Sequence, residues 1–170
     1  MRILGVDPGT QRTGWGVVER RGSRLVGIEA GVVRAKSDQP LEVRLGRIYA
    51  GLRDVVERLS PDVVAVESIF QAKYASAAIK LGHVRGVALL VAAHAALPVH
   101  DYAPALVKRT VAGRGAADKR QLAALVCTIL GWTEVPAADA ADALAVAITH
   151  AQAARYAEAV GAAAVPRRRR

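Results

Sequence analysis

The sequence predicts an α/β domain: a five-stranded mixed sheet, antiparallel across its first three strands, with helices on both faces. Three observations carry this. Two four-residue apolar runs, Ile3 to Val6 and Val63 to Val66, each end at once in an acid, Asp7 and Glu67, as buried strands do where they emerge. Two stretches rich in β-branched residues, Trp15 to Arg20 and Leu25 to Val33, flank Arg21, Gly22 and Ser23, which is a hairpin signal. Stretches of helical periodicity separate and follow the strands, and that alternation layers helices on a sheet.

In order along the chain, Ile3 to Val6 stops abruptly at Pro8 and Gly9, a strand running into a turn. After the hairpin, Leu41, Leu45, Ile48, Leu52, Val55, Val56 and Leu59 recur at steps of three and four, the stripe a helix lays on a core. Pro40 opens that helix, and Ser60 with Pro61 closes it. Val63 to Val66 repeats the first strand's layout. Ser76 to Leu97 has no proline and predicts a long helix ending before Pro98. Its second half is apolar nearly all round except for Arg85 and His94, so it must be covered on more than one side. Val99 to Tyr102 is the fifth strand, and Asp118 to Leu130, stopped by Gly131, and Ala138 to Ala157 complete the helices. A domain over residues 1–157 is expected, followed by an alanine-rich basic tail, 158–170, expected to be disordered.

The chain has 170 residues, 52% of them hydrophobic, enough for one compact core. Lys and Arg number 24 against 15 Asp and Glu, giving a net charge of +9, which favours polyanionic partners. Cys127 is the single cysteine, which excludes an intrachain disulfide and a four-cysteine zinc site and suggests a reducing compartment. The first apolar run is too short for a signal peptide. The longest one, Gly86 to Val99, contains His94 and Pro98 and falls short of the roughly 20 residues of a membrane span. A soluble cytoplasmic protein with no membrane partner is expected.

The acids carry the chemistry. Asp7 and Glu67 are expected at the carboxyl ends of adjacent strands, where α/β sheets place their sites. Asp139 and Asp142 stand three apart in a helix and share a face. Any one of them alone reads as a cap or a solvated residue, but Asp139 and Asp142 lie among alanines, not on a charged face. Bringing four carboxylates together is costly unless a divalent metal neutralises them. All-oxygen ligation points to Mg²⁺ or Mn²⁺. Two such ions about 3.5 to 4 Å apart would activate a water and stabilise a leaving oxygen in phosphodiester hydrolysis. The glycine-containing turn from Asp7 to Gly14 admits another reading, a nucleotide-phosphate cradle like that of actin-like ATPases and sugar kinases. It also admits a plain strand turn in which Gly9 and Gly14 supply permissive backbone angles.

The runs ILGVDPGTQRTGWGVV, VAVESIFQAKYASAAIKLGHVRGVAL, VKRTVAG and ADAADALAVAITH resemble the RuvC family of Holliday junction resolvases, in the family's order and across nearly the whole chain. The resemblance implies an RNase H-like nuclease domain over 1–157, a homodimer, and Mg²⁺-dependent paired nicking of four-way DNA junctions, with Mn²⁺ able to substitute. It implies that Asp7, Glu67, Asp139 and Asp142 are the catalytic, metal-holding carboxylates. It places Phe70 near the junction's exchange point, although on sequence alone the chain's one Phe reads somewhat better as a core ring. Lys108 and Lys119 match positions that face DNA, and Arg109, Arg114 and Arg120 are further candidate phosphate contacts. The RuvA and RuvB branch-migration complex is the partner the family implies. The arginine run at 167–170 is outside the family pattern.

Two other functions remain to be weighed. An ATPase of the actin-like superfold needs a second lobe and an adenosine loop, for which 170 residues leave little room. A non-catalytic junction-binding module accounts for the basic charge but not for the four acids, which would weaken binding to phosphates unless metals intervene.

Overall fold

The computed structural model describes residues 1–68, 75–113 and 118–164. Ten elements follow one another: β1 (Arg2–Asp7), β2 (Arg12–Arg21), β3 (Arg24–Arg34), α1 (Leu41–Leu59), β4 (Val63–Glu67), α2 (Ala75–His94), β5 (Val99–Tyr102), α3 (Pro104–Ala112), α4 (Lys119–Leu130) and α5 (Ala138–Ala164). The strands form one sheet in the order β3-β2-β1-β4-β5. The pairs β1–β2 and β2–β3 are antiparallel, while β1–β4 and β4–β5 are parallel. The mixed sheet with its antiparallel first three strands is the one expected from the sequence.

Period-two alternation sorts the strand residues onto two faces. Leu4, Val6, Val17, Val64 and Val66 join Ile48, Leu52 and Val55 of α1 and Val84, Ala88, Val91 and Ala92 of α2 in one core layer. Ile3, Val18, Val63 and Ala65 join Val107 and Val111 of α3, Leu122 and Val126 of α4, and a continuous buried run of α5 in the other. On the second face, Ile3, Gly5 and Asp7 succeed one another along β1, as Val63, Ala65 and Glu67 do along β4, so both acids point to the side that carries α5.

Helix ends follow local chemistry. Pro40 precedes α1, and Ser60 ends it in the left-handed conformation, its N–H donating to Val56 O at 3.0 Å. Asp118 is not the first helical residue of α4 but its cap. Its carboxylate accepts from Gln121 N at 2.8 Å while the Gln121 side chain accepts from Asp118 N, a reciprocal box that satisfies two orphan donors. α2 ends at His94, short of Leu97: Ala96 turns left-handed at φ 53° and Leu97 N donates to Ala92 O, because Leu97 precedes a proline and is steered away from helix. By length and composition Ser76–His94 could cross a membrane, but its Val84, Ala88, Val91 and Ala92 are packed into the sheet's core.

Two corrections concern the helices. The sequence reading missed α3, a short helix opened by Pro104 at its first turn and closed by Gly113 in the left-handed conformation. Its apolar signal is only Val107 and Val111, one turn apart, with Lys108 and Arg109 between them. α5 also runs past Ala157 to Ala164, because its alanine-rich sequence has high helix propensity and meets no proline until Pro166. Arg20 fastens that extension, its guanidinium forking onto both carboxylate oxygens of Glu158. The arginines at 167–170 lie outside the described residues.

Near the α5 midpoint, the Tyr102 hydroxyl lies 2.7 Å from Nδ1 of buried His150, and the His100 ring packs with its centroid 4.6 Å from that of His150.

Candidate active site

Asp7 and Glu67 leave β1 and β4 one position beyond the last register pair, Val6 with Val66. α5 supplies the other two acids, and the strands are built to let it close. A Cβ at Gly5 would lie 2.0 Å from the carbonyl oxygen of Ala143, and one at Gly14 would lie 1.9 Å from that of Asp139. Only a residue without a side chain allows the helix backbone to lie this near the sheet. Gly9 and Gly14 are not among the positive-φ glycines of the described residues. The permissive-angle reading of the turn therefore gives way to one of close approach.

A cleft of about 230 Å³ opens at this end of the sheet, lined by Asp7, Glu67, Lys108, Asp118, Lys119 and Asp142 among others. Burial, then the neighbouring charges of Glu67 and Asp142, a hydrogen bond with Glu67 and the charge of Asp139 push the Asp7 carboxyl up to about 8. Glu67 is also raised, first by burial, while its contact with Asp7 and the charges of Lys119 and Lys108 act the other way. Of the two strand acids, Asp7 is the one most strongly disfavoured as a free carboxylate. The helix acids are each held by a cation: Lys119 Nζ stands 3.2 Å from Asp142 Oδ2, and Arg12 Nε stands 2.6 Å from Asp139 Oδ2. Among the described residues no three His, Cys, Asp or Glu side chains close on one point tightly enough to hold an ion.

The expected residues are therefore largely gathered. Lys108 on α3 and Lys119 at the start of α4 line the cleft with Asp7, Glu67 and Asp142, and Asp139 stands beside it with Arg12. Arg109 and Arg120 are exposed on the same two helices but do not line the cleft. Phe70 and Arg114 lie outside the described residues. The sequence reading did not single out Arg12. It enters β2 two positions before Gly14, and that same-face spacing next to the glycine on which Asp139 rests was its one available signal.

The model of the family described as crossover junction endodeoxyribonuclease RuvC matches residues 3–150. The chain belongs to the RuvC family. Among relatives of that description, one from Methylorubrum extorquens is 54% identical over 151 residues, covering 89% of this chain and 80% of the relative. One from Sorangium cellulosum is 48% identical over 172 aligned residues, covering 100% and 96%. The solved structure of T. thermophilus RuvC in complex with Holliday junction substrate superposes with a TM-score of 0.87 at 39% identity, covering 92% of this chain and 96% of that one. The fold is the RNase H-like fold of the RuvC family, and the family's activity is that of a structure-specific DNA endonuclease. The actin-like ATPase alternative is set aside by the same findings.

Proposed function

We propose that the chain resolves Holliday junctions by paired, symmetric, divalent-cation-dependent nicking, with Asp7, Glu67, Asp139 and Asp142 holding the cations. The observation that supports this most is the convergence of acids from two strands and one helix on one end of the sheet, in surroundings that drive Asp7 to about 8. A proton relieves that repulsion in part, and a divalent ion would relieve it fully. The donors fit such an ion: all are hard carboxylate oxygens, suited to Mg²⁺ with Mn²⁺ as a substitute, and Asp139 Oδ2 is buried without an aligned hydrogen-bond donor. Two bound cations would supply activation of the attacking water and stabilisation of the leaving oxygen.

The chain's own residues do the positioning. Asp7 and Glu67 stand on paired strands, so their spacing is fixed by the ladder. Lys108 and Lys119, on separate helices, face the acids across the cleft and offer their ammonium groups to a backbone phosphate. Arg109 and Arg120, exposed beside them, are placed for flanking phosphates, which fix register without reading sequence. Phe70, three residues after Glu67, is assigned to the junction's branch point, where stacking on a base is worth about 1–3 kcal/mol.

Paired nicks need two sites, and a two-fold dimer provides them. α2 supports this: opposite the residues it buries it presents Ile79 and Leu90, 62% and 47% exposed. The remaining parts of the reading are a nuclease domain over 1–157 with a basic tail, action in the cytoplasm, and cooperation with the RuvA and RuvB branch-migration complex. The test is a synthetic four-way junction incubated with and without Mg²⁺ and with and without ATP. Paired nicks that need the metal and not ATP are expected. Binding without nicking in Mg²⁺ overturns the reading in favour of a non-catalytic junction-binding module.

A further inference from the structure

We propose that Arg12 is a positioning residue that competes with divalent cations for Asp139, keeping the site's cation affinity low until DNA draws the guanidinium away. This rests on the reading of Asp7, Glu67, Asp139 and Asp142 as the cation-holding acids.

The geometry sets the competition. Arg12 and Gly14 lie two apart in β2 and share a face, and Asp139 rests on Gly14, so the guanidinium reaches the carboxylate along the sheet. Arg12 Nε is 2.6 Å from Asp139 Oδ2, yet that oxygen is buried and receives no aligned hydrogen bond. The contact is thus an ion pair without the directed bonds that would make it hard to exchange. Asp139 is also one of the carboxylates the cation reading needs, and a guanidinium and a cation cannot both sit closely on its buried Oδ2.

Arg12 is equally poised to leave. Its side chain is about half exposed, and its cross-strand neighbour is Arg34, a like-charge pairing that disfavours leaving the guanidinium where it stands without an anion. The backbone beneath it is pinned: Thr13 Oγ1 donates to Gly9 O at 2.8 Å, Arg44 Nε donates to Thr10 O at 3.0 Å, and Ala35 N donates to Gln11 O at 2.9 Å. Only the side chain needs to move. A DNA phosphate arriving at the cleft offers the anion that Asp139 otherwise supplies, and the freed carboxylate then turns to the cation. DNA binding and cation binding become mutually reinforcing, as linkage requires.

The experiment measures Mn²⁺ affinity of the full chain without DNA, by calorimetry and by electron paramagnetic resonance, for the parent, Arg12→Gln, Arg12→Lys and Asp7→Asn. Arg12→Gln should bind Mn²⁺ about three- to tenfold more tightly than the parent, the range expected on removing one half-exposed charge beside a dication. Arg12→Lys, which keeps the charge, should return towards the parental affinity. A structural role alone would lower uptake or leave it unchanged, and lysine would not reverse a gain. Unchanged affinity in Arg12→Gln, or no uptake in either the parent or Arg12→Gln, overturns the proposal. Asp7→Asn keeps the two failures apart. If it loses uptake while Arg12→Gln matches the parent, only the role of Arg12 falls; if it binds Mn²⁺ as the parent does, the carboxylate reading falls with it.

Discussion

Asp7 and Glu67 emerge side by side from parallel strands, one position beyond the Val6 and Val66 pair, and burial pushes both carboxyl groups up. Strand pairing holds them together against their own repulsion, so the half-buried acids gathered at this end of the sheet cost the fold stability.

Asp7→Asn should therefore separate stability from chemistry. Replacing an acid whose burial disfavours its charged form, and which folding must therefore protonate near neutral pH, should raise the melting temperature in EDTA by a few degrees, and junction binding in EDTA should hold or tighten. Single-turnover cleavage in Mg²⁺ should drop by orders of magnitude. Cleavage near the parental rate would remove Asp7 from the catalytic set.

Gly5→Ala tests the close approach of α5. The added methyl carbon would sit 2.0 Å from the Ala143 carbonyl oxygen, and since both partners are backbone the helix must shift. Overpacking of this kind costs about 1–3 kcal/mol, which thermal unfolding would read as a fall of roughly 2–12 °C for a chain of this size. Cleavage should fall as well, because Asp139 and Asp142 move with the helix.

His150 is held neutral, its pKa lowered to about 4 from an ordinary 6.5 by burial first, then by His100 and Arg20. The unfolded chain takes up that proton first. The contribution to stability is thus complete above about pH 6.5 and is lost as the pH falls towards 4, by an amount on the order of 1–3 kcal/mol. Urea unfolding across this window should show a shallower pH dependence in His150→Gln than in the parent. Parallel curves would mean that the imidazole titrates normally.

Leu90→Glu probes the outward face of α2. Leu90 is 47% exposed and a charge there leaves the core residues of the helix untouched, so the variant should fold and sediment as a monomer while the parent sediments as a dimer. A monodisperse parental monomer would contradict the dimer outright.

How far the sequence could be read depended on the range of each signal. Asp7 and Glu67 were legible because each ends an apolar run, a pattern contained in five residues. Asp139 and Asp142 were legible because helical spacing puts both on one face. α3 was not, since Val107 and Val111 mark only one turn and the charged pair between them reads as loop. Arg12 was hidden for the opposite reason: its partner lies far along the chain, and only the approach of α5 to Gly14 brings the two together. The length of α2 was overstated because proline acts on the residues before it, so a run that is helical by composition turns at Ala96.

The Gly22–Ser23 turn of the β2–β3 hairpin closes the sheet at the end remote from the acids. Gly22 lies eight positions beyond Gly14, roughly 26 Å at an extended rise, and a side chain at Gly22 would meet nothing within 4 Å. Gly22 is held at φ 62°, so the neighbouring Ser23 is the better point for a cysteine and a fluorescent dye once Cys127, which is buried, is left unlabelled. A dye there would ride on the same rigid ladder that carries Asp7 while standing clear of it. Single molecules could then be followed as they engage and leave a junction, with the label reporting the whole body's orientation and not the chemistry.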